Sequence, residues 1–289
     1  MKQFATYIAF LLVIALTISY VGDLLFTQVY YNGAPRDKIR WVRSEQMADS
    51  LDYVLLGSSR CIHNVKPALI GEMSGKKGLN LGYAASGPVE IKLMLQQIVA
   101  HITVEKVFIQ VDNKYNTFQP DDLAQVSWMP YIKEPEIYAE FQKYDGSYWS
   151  YKNIPFYRYQ IFEPKIGIRN VGLSLLGKEG DFIPQLGYKP VYNVLKREDS
   201  FAKALKDREN PIFNEMIEIG AEHNIEIFFF TAPIYNNQTD FSALSKYLPN
   251  YKDFSNAIGQ RDLFADVTHL NEEGAERFTE LFCRNYFLQ

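Results

Sequence analysis

Four short runs of apolar residues, each bounded by turn residues, recur along the chain after its first fifty residues. They span Tyr53–Leu56, Gly78–Leu81, Lys106–Val111 and Ile225–Thr231. A strand that is buried on both faces of a parallel sheet has this continuous apolar character, whereas a half-exposed strand alternates apolar and polar residues. The four runs therefore predict parallel strands of one sheet.

Helical patterns lie between and after these runs. Val89–Ile102 carries apolar residues at helical spacing, and Phe201–Glu222 predicts a longer helix that Pro211 interrupts. The last helix is predicted to begin at Glu272, because Asn271 is a favourable cap and acidic residues occupy the first turn. Strands that alternate with helices predict a three-layer α/β/α fold of the flavodoxin-like type, with a parallel sheet between two helical layers.

The stretch from about 115 to 194 interrupts this alternation. It is rich in aromatic residues, proline and glycine and has no clear period, so we predict an insertion within a domain that extends from 51 to 289. Its aromatic side chains could stack on sugar rings or cover a site as a lid, but the simplest interpretation is that they form the insertion's own core. They include Trp128, Tyr131, Tyr148, Trp149, Tyr157 and Tyr159.

The N-terminus carries a long uncharged run. Gln3–Gly22 contains no charged residue, and about 20 apolar residues suffice for a helix to cross the hydrocarbon core of a bilayer. The run is longer than a usual signal-peptide core and no clear small-x-small cleavage site follows it, which favours an uncleaved anchor over a cleaved signal peptide. We expect the anchor at residues 1–26 and a tether with a short charged helix at residues 27–50.

The charged residues bear on two questions, the orientation of the apolar run in a membrane and the binding of nucleic acid. Lys2 alone precedes the apolar run and four basic residues follow it, so a simple count of positive charges would place the domain in the cytoplasm. Those four residues are Arg36, Lys38, Arg40 and Arg43. The whole chain has a formal net charge of −4, so it has no overall basic field, and we do not expect nucleic acid as a partner.

Hydroxyl residues stand where an α/β fold places its active site, at the carboxyl end of a strand. Gly57, Ser58 and Ser59 follow the first predicted strand. A serine becomes a nucleophile only when a positioned base takes its proton and a third group orients that base. Of the four histidines, His269 is the one with a carboxylate at usable spacing, because Asp266 precedes it by three residues.

These residues resemble the ordered blocks of the SGNH (GDSL-like) hydrolase superfamily over roughly residues 51–289. Three blocks carry the resemblance: Gly57-Ser58-Ser59, Asn80-x-Gly82 and Asp266-x-x-His269. The resemblance implies that Ser59 is the nucleophile, that His269 is the base and that Asp266 orients the base. Ser58 occupies the place that is usually an aspartate.

The resemblance also implies an oxyanion hole. Its donors would be the backbone N–H groups of Ser59 and Gly82 and an asparagine after the next strand. That asparagine is Asn113, with Asn116 as the alternative, although QVDNKYN lacks the family's glycine and reverses its asparagine and aspartate. Three further polar residues are candidates for substrate binding, the first of them through an anionic group: Arg60, Asn80 and Asp112.

His63 and the two cysteines of the chain are interpreted as structural. Cys61 and Cys283 lack the spacing of a zinc site and are either paired or free, and we expect both to be small buried side chains. His63 has no chemical partner in the sequence pattern. No metal or cofactor is expected, because acyl transfer through a serine ester requires neither.

A membrane-tethered SGNH domain with an aromatic insertion is similar to the acyl-transfer proteins of bacterial envelopes, such as alginate acetyltransferases and the D-alanine transfer protein of teichoic acid synthesis. The resemblance implies a domain outside the cytoplasm, an acylated glycan or other small ester as substrate, and a multi-spanning acyltransferase as a partner. Two alternatives stay open. One is an esterase that hydrolyses such esters, and the other is a non-catalytic glycan-binding or scaffolding protein with a degenerate triad.

Overall fold

The computed structural model describes residues 2–197 and 199–288, which form two compact units. The helical unit comprises the residues up to Ser44 together with Gln125–Gly180, and the sheet unit comprises Glu45–Ala124 together with the residues from Asp181 onward. The helices are α1 (Lys2–Asn32), α2 (Lys38–Val42), α3 (Ser59–Asn64), α4 (Pro67–Ser74), α5 (Pro88–His101), α6 (Pro135–Phe141), α7 (Ser147–Asn153), α8 (Tyr157–Ile161), α9 (Glu163–Ile166), α10 (Ile168–Leu175), α11 (Pro211–Glu222) and α12 (Glu272–Tyr286). The strands are β1 (Ser50–Leu56), β2 (Gly78–Asn80), β3 (Thr103–Gln110), β4 (Glu226–Thr231) and β5 (Tyr251–Asp253).

The predicted strands pair in one parallel sheet with the order β2-β1-β3-β4-β5. This is the flavodoxin-like order, so the predicted fold class is confirmed. The edge strand β5 was not predicted. Its sequence Tyr-Lys-Asp is not an apolar run, because a short edge strand does not need to be buried on both faces.

Consecutive residues of β4 show that helices cover both faces of the sheet. Phe229 packs against Phe213 of α11 with ring centroids 5.9 Å apart, whereas Phe230 packs against Phe282 of α12 at 5.1 Å. Successive side chains of a strand point to opposite faces, so α11 and α12 lie on opposite sides. Because α5 packs with α11, and α3 and α4 pack with α12, the sheet lies between two helical layers.

The helix predictions hold with one correction. The helix α12 begins at Glu272, and Asn271 Oδ1 accepts a hydrogen bond from the Gly274 N–H at 3.0 Å. The prediction of a helix over Phe201–Glu222 is wrong in its first half, because α11 begins at Pro211 and the residues before it are not helical. Proline lacks the N–H that a helix interior requires but fits the first helical position, so Pro211 starts the helix instead of interrupting it.

The helical unit differs from the predicted anchor, tether and insertion in its boundaries. The helix α1 continues without a break past residue 26 to Asn32, and α2 lies within the predicted tether. Of the predicted insertion, only Gln125–Gly180 belongs to this unit. Its core is aromatic, as the simplest interpretation had it, and includes Trp128, Tyr131, Tyr148 and Tyr159.

The apolar part of α1 is exposed along its length. Its length and composition fit a membrane span, and a signal sequence near an N-terminus has the same properties. The last third of α1 is different, because Asp23 and Tyr30 are buried in the helical unit.

The chain leaves β1 through a glycine that no other residue could replace without strain. Gly57 has a φ of 147°, and a Cβ at this position would lie 2.7 Å from Gln110 Cβ. Both the backbone conformation and the lack of space therefore favour glycine. The turn leads directly into α3, which begins with Ser59.

We expect Gly57→Ala to destabilise the protein more than Gly75→Ala. Gly75 also has a positive φ, 74°, but no described atom lies within 4 Å of its missing Cβ. Gly75→Ala should therefore cost only the backbone strain, about 1 kcal/mol, whereas Gly57→Ala adds a clash and should cost at least about 2 kcal/mol. Denaturant unfolding measures both, and equal losses would mean that the clash is not part of the cost.

Candidate active site

Ser58 and Ser59, although adjacent, have different environments. Ser58 caps α3: its Oγ accepts a hydrogen bond from the Arg60 N–H at 3.3 Å and donates to Gln110 Oε1 at 2.8 Å. The Ser58 backbone N–H donates to the same Gln110 oxygen at 3.1 Å. Ser58 is therefore buried and bonded within the turn, whereas Ser59 is only half-buried at the carboxyl edge of the sheet.

Ser59, His269 and Asp266 form one hydrogen-bonded line. Ser59 Oγ lies 2.8 Å from His269 Nε2, and His269 Nδ1 lies 2.8 Å from Asp266 Oδ2. In the arrangement that these distances favour, the serine hydroxyl donates to Nε2 while Nδ1–H donates to the carboxylate. This is the geometry of a nucleophile, a general base and the acid that orients the base. The structure thus brings together the three residues predicted to be catalytic.

Hydrogen bonds from backbone N–H groups to side-chain oxygens fix the turn that carries Asp266 and His269. Asp266 Oδ1 accepts from the Thr268 N–H at 2.7 Å and from the His269 N–H at 3.0 Å. The Leu270 N–H donates to Asn64 Oδ1 at 3.0 Å. Because Asn64 is the last residue of α3, the turn is tied to the same short helix that carries the nucleophile.

Asp266 is held in its ionised form. Burial by itself would raise the pKa of this carboxyl, but the hydrogen bond and charge of His269 and the hydrogen bonds of Thr268 outweigh burial, so the pKa lies well below its usual range. A carboxyl with a lowered pKa stabilises the folded state above its unfolded pKa of about 3.9, and this stabilisation is lost as the pH falls through the folded pKa. Asp266 therefore orients His269 as a carboxylate at neutral pH.

The predicted backbone donors of the oxyanion hole differ in their availability. The Ser59 N–H is in the first turn of α3 and has no acceptor among the residues that the structure describes, as the start of a helix leads one to expect. The Gly82 N–H instead donates to Asn80 Oδ1 at 3.1 Å. Gly82 would have to share or exchange this bond before its N–H could stabilise an oxyanion.

The two asparagines considered for the third donor are also distinct. Asn116 exchanges two hydrogen bonds with the backbone of Lys206, one at 2.8 Å and one at 3.2 Å, and is therefore engaged elsewhere. Asn113 begins the short 3-10 turn that follows β3. Asn113 thus stays the candidate, and its role as an oxyanion donor stays a prediction.

Asn80 is bonded within the scaffold of the site, and its role in substrate binding stays a prediction. Its side chain is fully buried, and Nδ2 donates to the carbonyls of Cys61 at 2.7 Å and of Val65 at 3.0 Å. These carbonyls lie in α3 and directly after it. Asn80 therefore links the end of β2 to α3, the helix that begins with Ser59.

Arg60 and Asp112 are likewise withdrawn from solvent. Arg60 is 4% exposed and Asp112 is 6% exposed, and Arg60 Nη1 lies 3.5 Å from Asp112 Oδ2. The Phe201 ring lies 4.9 Å from the guanidinium carbon. Burial lowers the pKa of Arg60, although the charges of Asp112 and Asp266 oppose this shift. Arg60 and Asp112 therefore form a buried ion pair next to Ser59, and their roles in substrate binding stay predictions.

His63 belongs to the site, which the sequence analysis missed. Its ring packs edge-on against the His269 ring, with centroids 5.3 Å apart and planes at 89°. His63 Nδ1 lies 2.7 Å from the Lys189 carbonyl oxygen, which can only accept, so Nδ1 carries a proton. The signal was its spacing: His63 follows Ser59 by four residues and thus lies on the same face of α3.

The two cysteines are buried and do not form a disulfide with each other. Of the two possibilities that the sequence left open, pairing is therefore excluded in this structure. Cys61 lies within the site scaffold, because a Cβ on Gly82 would lie 2.8 Å from Cys61 Cβ. The lack of a side chain at Gly82 therefore lets the segment after β2 approach Cys61 of α3 closely.

Comparisons with known proteins find similarity only among solved structures, since no protein-family model and no curated protein matches the chain. One similar structure is a protein assigned to the G-D-S-L family of lipolytic proteins from Desulfitobacterium hafniense DCB-2. The match has 12% identity and a TM-score of 0.39, and it covers 82% of this chain and 99% of that one. Another is a protein assigned as a platelet activating factor from Streptococcus pneumonia, with 13% identity, a TM-score of 0.32 and coverage of 98% and 99%. With TM-scores below 0.5, neither similarity adds to what the strand order and the site geometry show.

We expect His63→Ala to lower kcat by about tenfold or more, and His63→Phe to lower it much less. Both variants lose the bond to Lys189, but phenylalanine keeps a ring against His269. If that ring orients His269, it preserves the alignment on which proton transfer depends. Steady-state kinetics with an activated ester measures the effect, and equal kcat values in the two variants would exclude a role for the ring.

Proposed function

We propose that this protein is a membrane-anchored serine acyl-transfer enzyme of the SGNH type. It would move acetyl or a similar acyl group to or from an envelope glycan through an ester on Ser59. The observation that supports this function most directly is the unbroken line of hydrogen bonds from Ser59 Oγ through His269 to Asp266. A degenerate triad would favour a non-catalytic protein, and neither distance in this line points to one.

In the first half-reaction, His269 Nε2 takes the hydroxyl proton as Ser59 Oγ attacks the carbonyl carbon of the donor ester. Negative charge develops on the carbonyl oxygen, and the Ser59 N–H would donate a hydrogen bond to it. Collapse of this intermediate breaks the bond to the leaving alcohol, and His269 returns the proton to it. The acyl group remains on Ser59, while Asp266 stays ionised and stabilises the imidazolium.

The second half-reaction separates a transferase from an esterase. A glycan hydroxyl loses its proton to His269 and attacks the acyl carbon; the bond from that carbon to Ser59 Oγ then breaks, His269 returns the proton to Oγ, and the acyl group remains on the glycan. Water in the same place hydrolyses the ester. The side chains of His269 and Asp266 are 23% and 57% exposed. This exposure makes hydrolysis of such esters the second candidate function.

The membrane anchor is part of the proposal, and α1 supports it. The helix combines an exposed uncharged run with a final third that is packed into the helical unit. By analogy with envelope acyl-transfer proteins, we place the domain outside the cytoplasm, against the count of positive charges. A multi-spanning acyltransferase in the same membrane would be the partner that supplies the acyl group.

We expect Ser59→Ala and His269→Ala to lower kcat for an activated acetyl ester by roughly 10⁴- to 10⁶-fold, because members of a triad act as a unit. Asp266→Asn should cost less, roughly 10³- to 10⁴-fold, since the base remains but its tautomer and charge are no longer controlled. Initial rates with purified full-length protein measure these losses.

Ser58→Ala is the matched control for the nucleophile. It removes the cap of α3 and the hydroxyl bond to Gln110, so it should cost about 1 kcal/mol of stability while turnover by the folded protein is kept. A fluorophosphonate probe should label the wild type and Ser58→Ala but not Ser59→Ala. Near-native turnover by Ser59→Ala would assign the nucleophile elsewhere, and a wild type that never reacts with the probe would favour the non-catalytic alternative.

We expect protease added to intact spheroplasts to digest the sheet unit while cytoplasmic marker proteins survive. This result follows if α1 spans the membrane and the rest of the chain lies outside. Spheroplasts opened with detergent provide the positive control for cleavage. Full protection in intact spheroplasts and digestion only after opening would place the domain in the cytoplasm, as the charge count predicts.

A further inference from the structure

The helix α1 is joined to the helical unit at the point where its uncharged stretch ends. Asp23 is the first charged residue after Lys2, yet it is only 2% exposed. Its carboxylate accepts hydrogen bonds from Arg158 at 2.7 Å and 3.2 Å and also pairs with Lys133. Arg158 is itself fully buried. A buried ion pair requires close and well-defined geometry, so this pair fixes which part of the unit lies beside Asp23.

The part that lies there is the α7–α8 segment, which we define as Ser147–Phe162. The Phe156 N–H donates to Asp23 Oδ2 at 2.9 Å. The Phe156 ring lies over Gly22, 3.2 Å from where a Cβ would be, and packs edge-on against Phe26 with centroids 4.9 Å apart. The segment therefore contacts the last residue of the uncharged stretch.

The conformation of this segment depends on α1. Phe156 has a φ of 63°, in the left-handed region that a bulky side chain rarely adopts. Such a conformation is strained and persists only where the surroundings hold it. The bond to Asp23 and the packing on Gly22 and Phe26 supply those surroundings, so the turn is built against the helix.

The same segment exposes large apolar side chains. Trp149, Ile154 and Ile161 are 57%, 42% and 48% exposed. Its sixteen residues include seven aromatic and two basic side chains and no acidic one. Tryptophan, tyrosine and basic residues are enriched at the membrane–water interface, where an amphipathic surface can bury its apolar side chains at the boundary with the acyl chains.

The length of α1 sets the depth of the segment. At a rise of 1.5 Å per residue, the stretch from Gln3 to Gly22 spans about 30 Å, which matches the hydrocarbon core of a bilayer. When this stretch crosses the bilayer, Gly22 lies at the edge of the hydrocarbon. The α7–α8 segment, which contacts Gly22, then lies at the level of the headgroups.

We propose that the α7–α8 segment rests in the headgroup region of the bilayer that α1 spans, with Trp149, Ile154 and Ile161 at the boundary with the acyl chains. The inference rests on the anchoring that forms part of the proposed function, and it does not depend on the triad. A second contact with the lipid, beside α1, holds the helical unit at a fixed height above the bilayer.

Single-cysteine variants of the full-length protein, labelled with an environment-sensitive fluorophore in phospholipid vesicles, test the proposal. Ile154→Cys and Ile161→Cys report on the α7–α8 segment, and Leu12→Cys reports on the insertion of α1. The native cysteines are buried, and unsubstituted protein that is labelled in parallel gives the background. Lipids with a quencher near the headgroup or deep in the acyl chains, and aqueous iodide, locate each label.

Leu176→Cys is the matched control. Leu176 is also apolar and is 75% exposed in the helical unit, directly after α10. Ser174, two residues earlier, donates to the Ala34 carbonyl at 2.9 Å. Ala34 lies beyond the end of α1, more than ten residues and about 15 Å of helix past Gly22. A label at Leu176 should therefore stay in water.

We expect the labels at Ile154 and Ile161 to show blue-shifted emission and quenching by the shallow lipid quencher, while the label at Leu176 is quenched by iodide. If the two segment labels are as open to iodide as Leu176 while the Leu12 label is quenched by lipid, the anchor stands and the inference fails. Blue-shifted emission without lipid quenching would mean a protein partner and would also overturn it. If the Leu12 label is not quenched by lipid, the anchor fails and the inference fails with it.

Discussion

The hydrogen bond between Ser59 Oγ and His269 Nε2 joins residues that are 210 positions apart in the chain. A bond of this length requires both side chains to be placed within a fraction of an ångström, which neither a flexible turn nor an isolated helix end could achieve. At one end, the Gly57 turn delivers Ser59 from β1. At the other, the bond from Leu270 to Asn64 ties the histidine turn to α3. The sheet unit can thus be understood as the frame that keeps these two ends together.

Buried polar side chains make this frame rigid. Asn80 bonds to the backbone around α3, and Gln110 binds both the backbone and the hydroxyl of Ser58. Arg60 and Asp112 add an ion pair under the cover of Phe201. Polar groups that are paired in a protein interior are costly to separate, because each would be left without its partner. The position of the nucleophile is therefore protected by these paired groups.

The sequence predicted those features that local pattern and strand topology control. The strands β1, β3 and β4 were found because a strand covered on both faces must be apolar. Ser59 was singled out by its place at the end of β1 and His269 by the carboxylate three residues before it, and the structure brings the two side chains together. The pattern failed for β5, which lies at the sheet edge and is not an apolar run. The helix that carries the predicted anchor is longer than the apolar run alone indicated, since α1 continues past residue 26 to Asn32.

The roles that the sequence missed depend on partners far along the chain. Asp23 can be buried within α1 only because Arg158, 135 residues later, pairs with it. Arg60 appeared available to an anionic substrate, and only the packing of Phe201 and Asp112 around it removes it from solvent. His63 lies in the site because its ring packs against His269, which is far from it in the sequence. The burial of Asp23 and Arg60 is a property of the tertiary structure, and no local spacing encodes it.

In the proposed reaction, transfer and hydrolysis differ in the acceptor that His269 deprotonates, which is a glycan hydroxyl in one and water in the other. The exposure of Asp266 and His269 leaves the proposed acyl-enzyme open to water, so the triad by itself does not favour a glycan. A transferase must therefore raise the effective concentration of its acceptor at the site, which is how a bound hydroxyl competes with a solvent that is always present. Attachment to a membrane has this effect for an acceptor that is held at the same surface, because both then move within one thin layer. On this argument the proposed anchor would contribute to the selectivity of the proposed reaction as well as to its location.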